Sequence, residues 1–152
     1  MTETMSIEEF KDLKPILKGG RHKKNKAQPE YLLQVAVCDY LRKQHSGVYF
    51  LSDTVAQLYL KPPQRMRNAK IQNSNFHCPD IIIFEAKKGF HACLIELKTE
   101  TPYRKDGQIK ASDKDHLLKQ QKTINELNRL GYFAAFAWSY EMAVEIIDNY
   151  LK

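Results

Sequence analysis

The chain has 152 residues, 43% hydrophobic and 28% charged, with a formal net charge of +6. That length suits one domain able to bury roughly two-thirds of its unfolded surface, and the basic balance favours a polyanionic partner. No apolar run approaches the roughly 20 residues needed to cross a bilayer, and the charged start MTETMSIEEFKDLK lacks the apolar core of a signal peptide. Cys38, Cys78 and Cys93 show no CxxC spacing, which argues against a disulfide framework or a thiolate zinc site. A cytoplasmic or nuclear protein is expected, with no membrane and no small-molecule cofactor.

Residues 1–28 read as an N-terminal basic extension: Ser6 can cap a short helix through Leu13, Pro15 interrupts it, and KGGRHKKNK follows. In that run Arg21, Lys23 and Lys24 suit phosphate contacts, which add affinity without reading sequence. Residues 29–152 make the folded domain. Pro29 opens a helix to about His45, with Glu30, Leu33, Gln34, Val37 and Leu41 on one stripe, so that Glu30 and Gln34 border the face to be buried. A Glu in a first turn serves the helix dipole, and its place on the stripe also allows it to point into a shared polar site.

VYFLS, 48–52, is a candidate first strand. From Asp53 to His77 no period is sustained, and the stretch reads as a long loop with room for one short element, in which Arg65, Arg67 and Lys70 suit backbone phosphates. CPDIIIFEAKKGFHACLIELKT, 78–99, reads as two strands joined by a turn centred near Lys88 or Gly89. The polar, turn-rich TETPYRKDGQIKA follows, with Arg104 and Lys105 as further candidates for DNA contact. Ser112 with Asp115 resembles a capping box for a helix to about Leu130, with Gly131 past its end and a stripe of Leu117, Gln120, Gln121, Ile124, Leu127 and Asn128. YFAAFAW, 132–138, reads as a buried strand, and Ser139 can cap a last helix with Met142, Ala143, Ile146, Ile147 and Tyr150 on one face. The expected architecture is α/β, a mixed β-sheet flanked by helices in the order αβ–ββ–αβ–α.

The chemistry lies in the hairpin. Glu96 and Lys98, two residues apart on a strand, share a face, and antiparallel pairing sets Asp80 opposite one of them. Two carboxylates in a half-buried site repel unless a cation sits between them, and an oxygen-only donor set favours Mg²⁺ or Mn²⁺. Such a site can polarise a phosphodiester and activate water. Lys98 is placed either to handle the attacking water or to neutralise developing charge, and the residues alone do not choose between these.

Pro79-Asp80, fifteen residues, then Glu96-Leu97-Lys98 resembles the signature of the PD-(D/E)xK nuclease superfamily. The wider frame of PDIIIF, GFHACLIELKTE, the helix with Gln120 and Gln121, NRLGYFAAFAW and YEMAVEII resembles the virus-type replication and repair nuclease (VRR-NUC) family over roughly residues 29 to 151. The resemblance implies a restriction-endonuclease-like αβββαβ core and a metal-dependent DNA endonuclease. It implies catalytic roles for Glu30, Asp80, Glu96, Lys98 and Gln120, with Gln121 the close competitor of Gln120. It further implies Mg²⁺ or Mn²⁺ held by Asp80, Glu96 and the Leu97 backbone carbonyl, with Glu30 reaching it through water. Small single-domain members are associated with viruses and with Holliday-junction cleavage as homodimers, which implies a homodimer on branched DNA, in the host cytoplasm if viral. The alternatives are a nuclease without structure preference, restriction-like or nicking, and a non-catalytic nucleic-acid-binding module. Asn75-Phe76-His77-Cys78 replaces the family's Gly-rich lead into Pro-Asp, and His77 is a weak further candidate near the metal.

Overall fold

The computed structural model describes residues 28–53, 59–110 and 114–152. Among the described residues eight elements follow one another: α1 (Pro29–Gln44), β1 (Phe50–Ser52), α2 (Pro62–Ile71), β2 (Ile81–Ile83), β3 (Cys93–Leu97), α3 (Lys114–Arg129), β4 (Phe133–Ala137) and α4 (Tyr140–Leu151). The basic extension with Arg21, Lys23 and Lys24, and the proposed cap Ser112, lie outside the described residues. Among the described residues no helix is long and apolar enough to cross a membrane.

The sheet order is β1-β2-β3-β4, with β1/β2 and β2/β3 antiparallel and β3/β4 parallel. This is the mixed sheet of a restriction-endonuclease-like αβββαβ core, with α2 inserted after the first strand. Side-chain alternation divides it into two faces. One face carries Ile81, Ile83, Cys93, Ile95 and Leu97 against Leu33, Val37 and Leu41 of α1 and Ala143, Ile147 and Tyr150 of α4. The other carries Leu94, Ala134 and Phe136 against Ile124 of α3. Burying each large aliphatic side chain contributes roughly 1.5–3 kcal/mol, so the first face is the chief source of stability.

Local signals account for the element ends. Pro29 and Pro62 occupy first-turn positions where the absent N–H costs no hydrogen bond, and the Ser139 hydroxyl accepts from the Met142 N–H at 3.1 Å to cap α4. Gly131, at φ +87°, ends α3 in a left-handed conformation, and its carbonyl accepts from the His91 N–H at 3.0 Å. Lys88 (φ 53°) and Gly89 (φ 84°) form the hairpin turn, both central residues having the positive φ that a type I′ turn needs.

Two expectations are corrected and one is filled in. The one short element allowed within 53–77 is a ten-residue helix, Pro62–Ile71; none of its side chains is buried, so no apolar period marks it. The strands are shorter than the apolar runs suggest, because the pairing shifts by one residue between Ile83↔Cys93 and Lys87↔Phe90. Residues 84–86 hold one more residue than 91–92, and the Tyr150 hydroxyl fixes the extra length by donating to the Glu85 carbonyl and accepting from the Lys87 N–H. On α3 the buried set is Leu117, Gln120, Thr123 and Ile124, while Asn128 faces out and clips β4, its amide pairing with both the Ala134 N–H (3.0 Å) and carbonyl (2.9 Å).

Candidate active site

The site forms at one end of the sheet, where β1 and β3 finish and β2 begins. Ile81 pairs with Ile95, so the same register brings Asp80 opposite Glu96, on the face that also carries Lys98 and faces α3. Asp80 Oδ2 accepts from the Leu97 N–H at 2.7 Å, and the Asp80 carbonyl accepts from the Asp53 N–H at 2.9 Å. Lys98 Nζ sits 3.0 Å from Glu96 Oε1. The same oxygen accepts from Gln120 Nε2 of α3, and Gln120 Oε1 is buried without a hydrogen-bond partner.

Burial governs the electrostatics. Glu96 is 5% exposed; desolvation, then the neighbouring Asp80 charge, pushes its carboxyl up to about 7, with Lys98 acting in the opposite sense. Asp80 is also raised, chiefly by desolvation, while the Leu97 N–H and Lys98 favour its anion. Both carboxylates feel Glu30 as a further negative charge, and Asp80 feels Asp53 as well.

Gln34 of α1 holds the sheet end in shape: its Nε2 donates to Ser52 Oγ (2.6 Å) and the Asp53 carbonyl (2.9 Å), and lies 3.4 Å from the Asp80 carbonyl. Glu30 is exposed and shares with Lys98, Thr99, Glu100, Lys110 and His116 the lining of an open cavity of about 280 Å³ beside the pair. Gln121 is turned away, accepting from the Tyr103 hydroxyl at 2.7 Å and donating to Asn125. Leu117 and Ile124 flank both glutamines at helical spacing, and the buried Thr123, three after Gln120, puts Gln120 on the buried stripe and leaves Gln121 at its edge. His77 stands edge-on to His116, ring centroids 6.0 Å apart, and its backbone N–H meets Thr123 Oγ1 at 3.4 Å.

The segment after β3 is a small hairpin. Tyr103 bridges to Ile109, Gly107 turns at φ +78°, and the Tyr103 ring meets Phe136 and Trp138 edge-on, leaving Arg104 and Lys105 exposed at the tip. Arg65, Arg67 and Lys70 are exposed on α2. Asp53 and His116 were not among the residues that the sequence pattern picks out; Asp53 follows directly on β1, and strand ends at this edge are the available signal.

Among the described residues no three His, Cys, Asp or Glu side chains converge as a metal cage. The donor set is a carboxylate pair with an unpartnered amide oxygen, all hard oxygens on largely buried side chains, and this fits a hard divalent ion that retains water better than it fits zinc or a softer metal.

No family model and no curated protein matches the chain. A solved structure described as "VRR_NUC domain protein" is similar over 80% of this chain and 87% of that chain, at 19% identity and a TM-score of 0.53. The likeness establishes a shared fold, and the activity has to be argued from the site.

Proposed function

We propose that the chain is a metal-dependent DNA endonuclease of the PD-(D/E)xK type, related to VRR-NUC nucleases, that hydrolyses phosphodiester bonds in branched DNA such as a Holliday junction. The observation that carries this reading is the desolvated Asp80–Glu96 pair with Lys98 on the same sheet face, 3.0 Å from Glu96. Two raised carboxyls at one strand end are an unstable arrangement for a purely structural site, and a functional one has reason to keep it.

Mg²⁺ or Mn²⁺ held by Asp80 and Glu96, with the Leu97 carbonyl beside them and Glu30 reaching through water, would polarise the scissile phosphate and lower the pKa of a bound water. The Leu97 N–H fixes one Asp80 oxygen and leaves the other available as a ligand. Gln120 and Lys98 converge on Glu96 Oε1 and so fix the rotamer of that carboxylate. In the reaction Lys98 is positioned to orient the attacking water or to balance charge on the five-coordinate phosphorus. Gln34 acts one layer out, keeping the Asp53 and Asp80 backbones in register.

A gel assay on linear, nicked, flapped and four-way DNA with Mg²⁺, Mn²⁺, Ca²⁺ or EDTA tests this. Wild type should cut the four-way substrate fastest, in Mg²⁺ or Mn²⁺ only, and Asp80→Asn or Glu96→Gln should lower the rate by at least about 100-fold with DNA binding retained. Full cleavage by either variant would remove the metal-site assignment. Equal rates on all substrates would leave a nuclease without structure preference.

A further inference from the structure

α2 has no explanation in the core. Every other helix among the described residues buries apolar side chains, whereas none of the residues of Pro62–Ile71 is buried, and Met66 and Ile71 are 64% and 80% exposed. A ten-residue helix is marginal in water without tertiary packing. Its sequence is also one-sided in charge: from Tyr59 to His77 there are Lys61, Arg65, Arg67 and Lys70 and no Asp or Glu. These cations have no carboxylate partner among the ion pairs of the described residues.

Their angular placement narrows the partner. At 3.6 residues per turn, Arg65 and Arg67 point about 160° apart, with Lys70 falling near Arg67. Cations therefore occupy both flanks of a helix that is open all round. A flat anionic surface would engage one flank; a groove with phosphates on both walls engages both, and the DNA major groove, about 12 Å wide, admits a helix. The topology gives the location. α2 leaves the end of β1 and returns to the start of β2, which is the sheet end carrying Asp80 and Glu96.

We infer that α2 is a phosphate-gripping arm for double-stranded DNA, seated in a groove beside the candidate active site and contributing sequence-independent affinity. The inference deepens the nuclease reading by naming how substrate is held, and its test does not need cleavage. Binding of the full chain to a 25-bp duplex, an experimental choice of about two and a half helical turns, is followed by fluorescence anisotropy in EDTA across a KCl series. For every phosphate that the protein no longer neutralises, the slope of log K against log salt becomes shallower by about 0.9. Arg65→Ala/Arg67→Ala/Lys70→Ala should therefore reduce the slope by about 2 to 3 and weaken low-salt binding at least about tenfold. Lys43→Ala/Lys88→Asn/Arg129→Ala, which removes three cations at the opposite end of the sheet, should change the slope by less than about 1.

Equal slopes for wild type and the α2 variant would overturn the inference, as would equal losses in the two triple variants. The single reversal Arg67→Glu guards against a folding artefact: it should weaken binding with the thermal midpoint unchanged, and unchanged binding would count against the arm. Because the readout is metal-free, an inactive but salt-sensitive protein would retire the nuclease reading and keep the arm, and an active protein indifferent to α2 would do the reverse.

Discussion

Lys98 and Glu96 form a close ion pair in a nearly water-free place, but counting charges shows that the pair does not neutralise the site. Asp80 and Glu96 contribute two acids against the one ammonium, and Glu30 adds to the imbalance from the cavity side. Removing one acid leaves a balanced Asp80–Lys98 pair; removing the lysine leaves two desolvated carboxylates with no counter-charge. In chelator at pH 8, Glu96→Gln should raise the stability of the fold by on the order of 1–3 kcal/mol, and Lys98→Met should lower it by a similar amount. Thermal melts with and without Mg²⁺ check both, and Mg²⁺ should stabilise wild type more than Glu96→Gln. A melting point for Glu96→Gln at or below that of wild type would show that the carboxylate is structurally satisfied without a metal. At this scale the sequence was informative in part: strand alternation puts Glu96 and Lys98 on one face, whereas the Lys88-Gly89 turn alone would set Asp80 opposite Leu97, and the extra residue within 84–86 shifts the pairing to Glu96. The choice of Gln120 over Gln121 was not legible, since both stand at helical spacing from Leu117 and Ile124, and it is the buried Thr123, three residues from Gln120 and two from Gln121, that places Gln120 inward. The contacts of Gln34 were not legible either, because they go to the Ser52 hydroxyl and to the Asp53 and Asp80 carbonyls, whose positions depend on the folded sheet.

Among the elements, α1 and α4 are fastened by a polar clasp outside the apolar face they share. Asp148 of α4 accepts from the Tyr40 hydroxyl at 2.6 Å and lies 3.1 Å from His45 Nε2, both contributed by the α1 end of the chain. Burial alone would raise the Asp148 carboxyl; hydrogen bonds from Tyr40 and His45, with Lys152 nearby, outweigh it and hold the group below its usual range. A depressed carboxyl stabilises the fold above its unfolded pKa, near 3.8, and that stabilisation is lost as pH falls through the lower folded value. Asp148→Asn should accordingly cost about 1–2 kcal/mol at pH 7, with the gap to wild type closing below about pH 3. Urea melts at pH 7, 5 and 3 measure this, and a gap that persists undiminished at pH 3 would assign the loss to packing. Such a clasp is invisible to sequence patterns because its partners are about a hundred residues apart. Strongly periodic elements, α1, α3, α4 and the central hairpin, were legible for the converse reason: they bury a stripe, and a stripe leaves a period. α2 buries nothing and left only Pro62-Pro63 as a start signal.

For the whole molecule, one site per chain has to be reconciled with a junction that offers two strands to cut. The carboxylate pair lies at a single sheet end. If branched DNA is the substrate, symmetrical incision requires two chains related by a two-fold axis. Mixing wild type with Asp80→Asn tests this with the strand count as readout. With subunits free to exchange, an equimolar mixture of a dimeric enzyme contains about half mixed dimers by random pairing, each able to cut one strand of the junction. Nicked junctions should accumulate, and paired incisions within one binding event should fall to about a quarter of the wild-type level, the share of dimers with two active chains. A chain acting alone gives a different result: the inactive protein only dilutes the active one, paired and single cuts fall together by about half, and no nicked excess builds up. A supercoiled cruciform plasmid separates the outcomes, since paired cuts linearise it and single cuts leave an open circle.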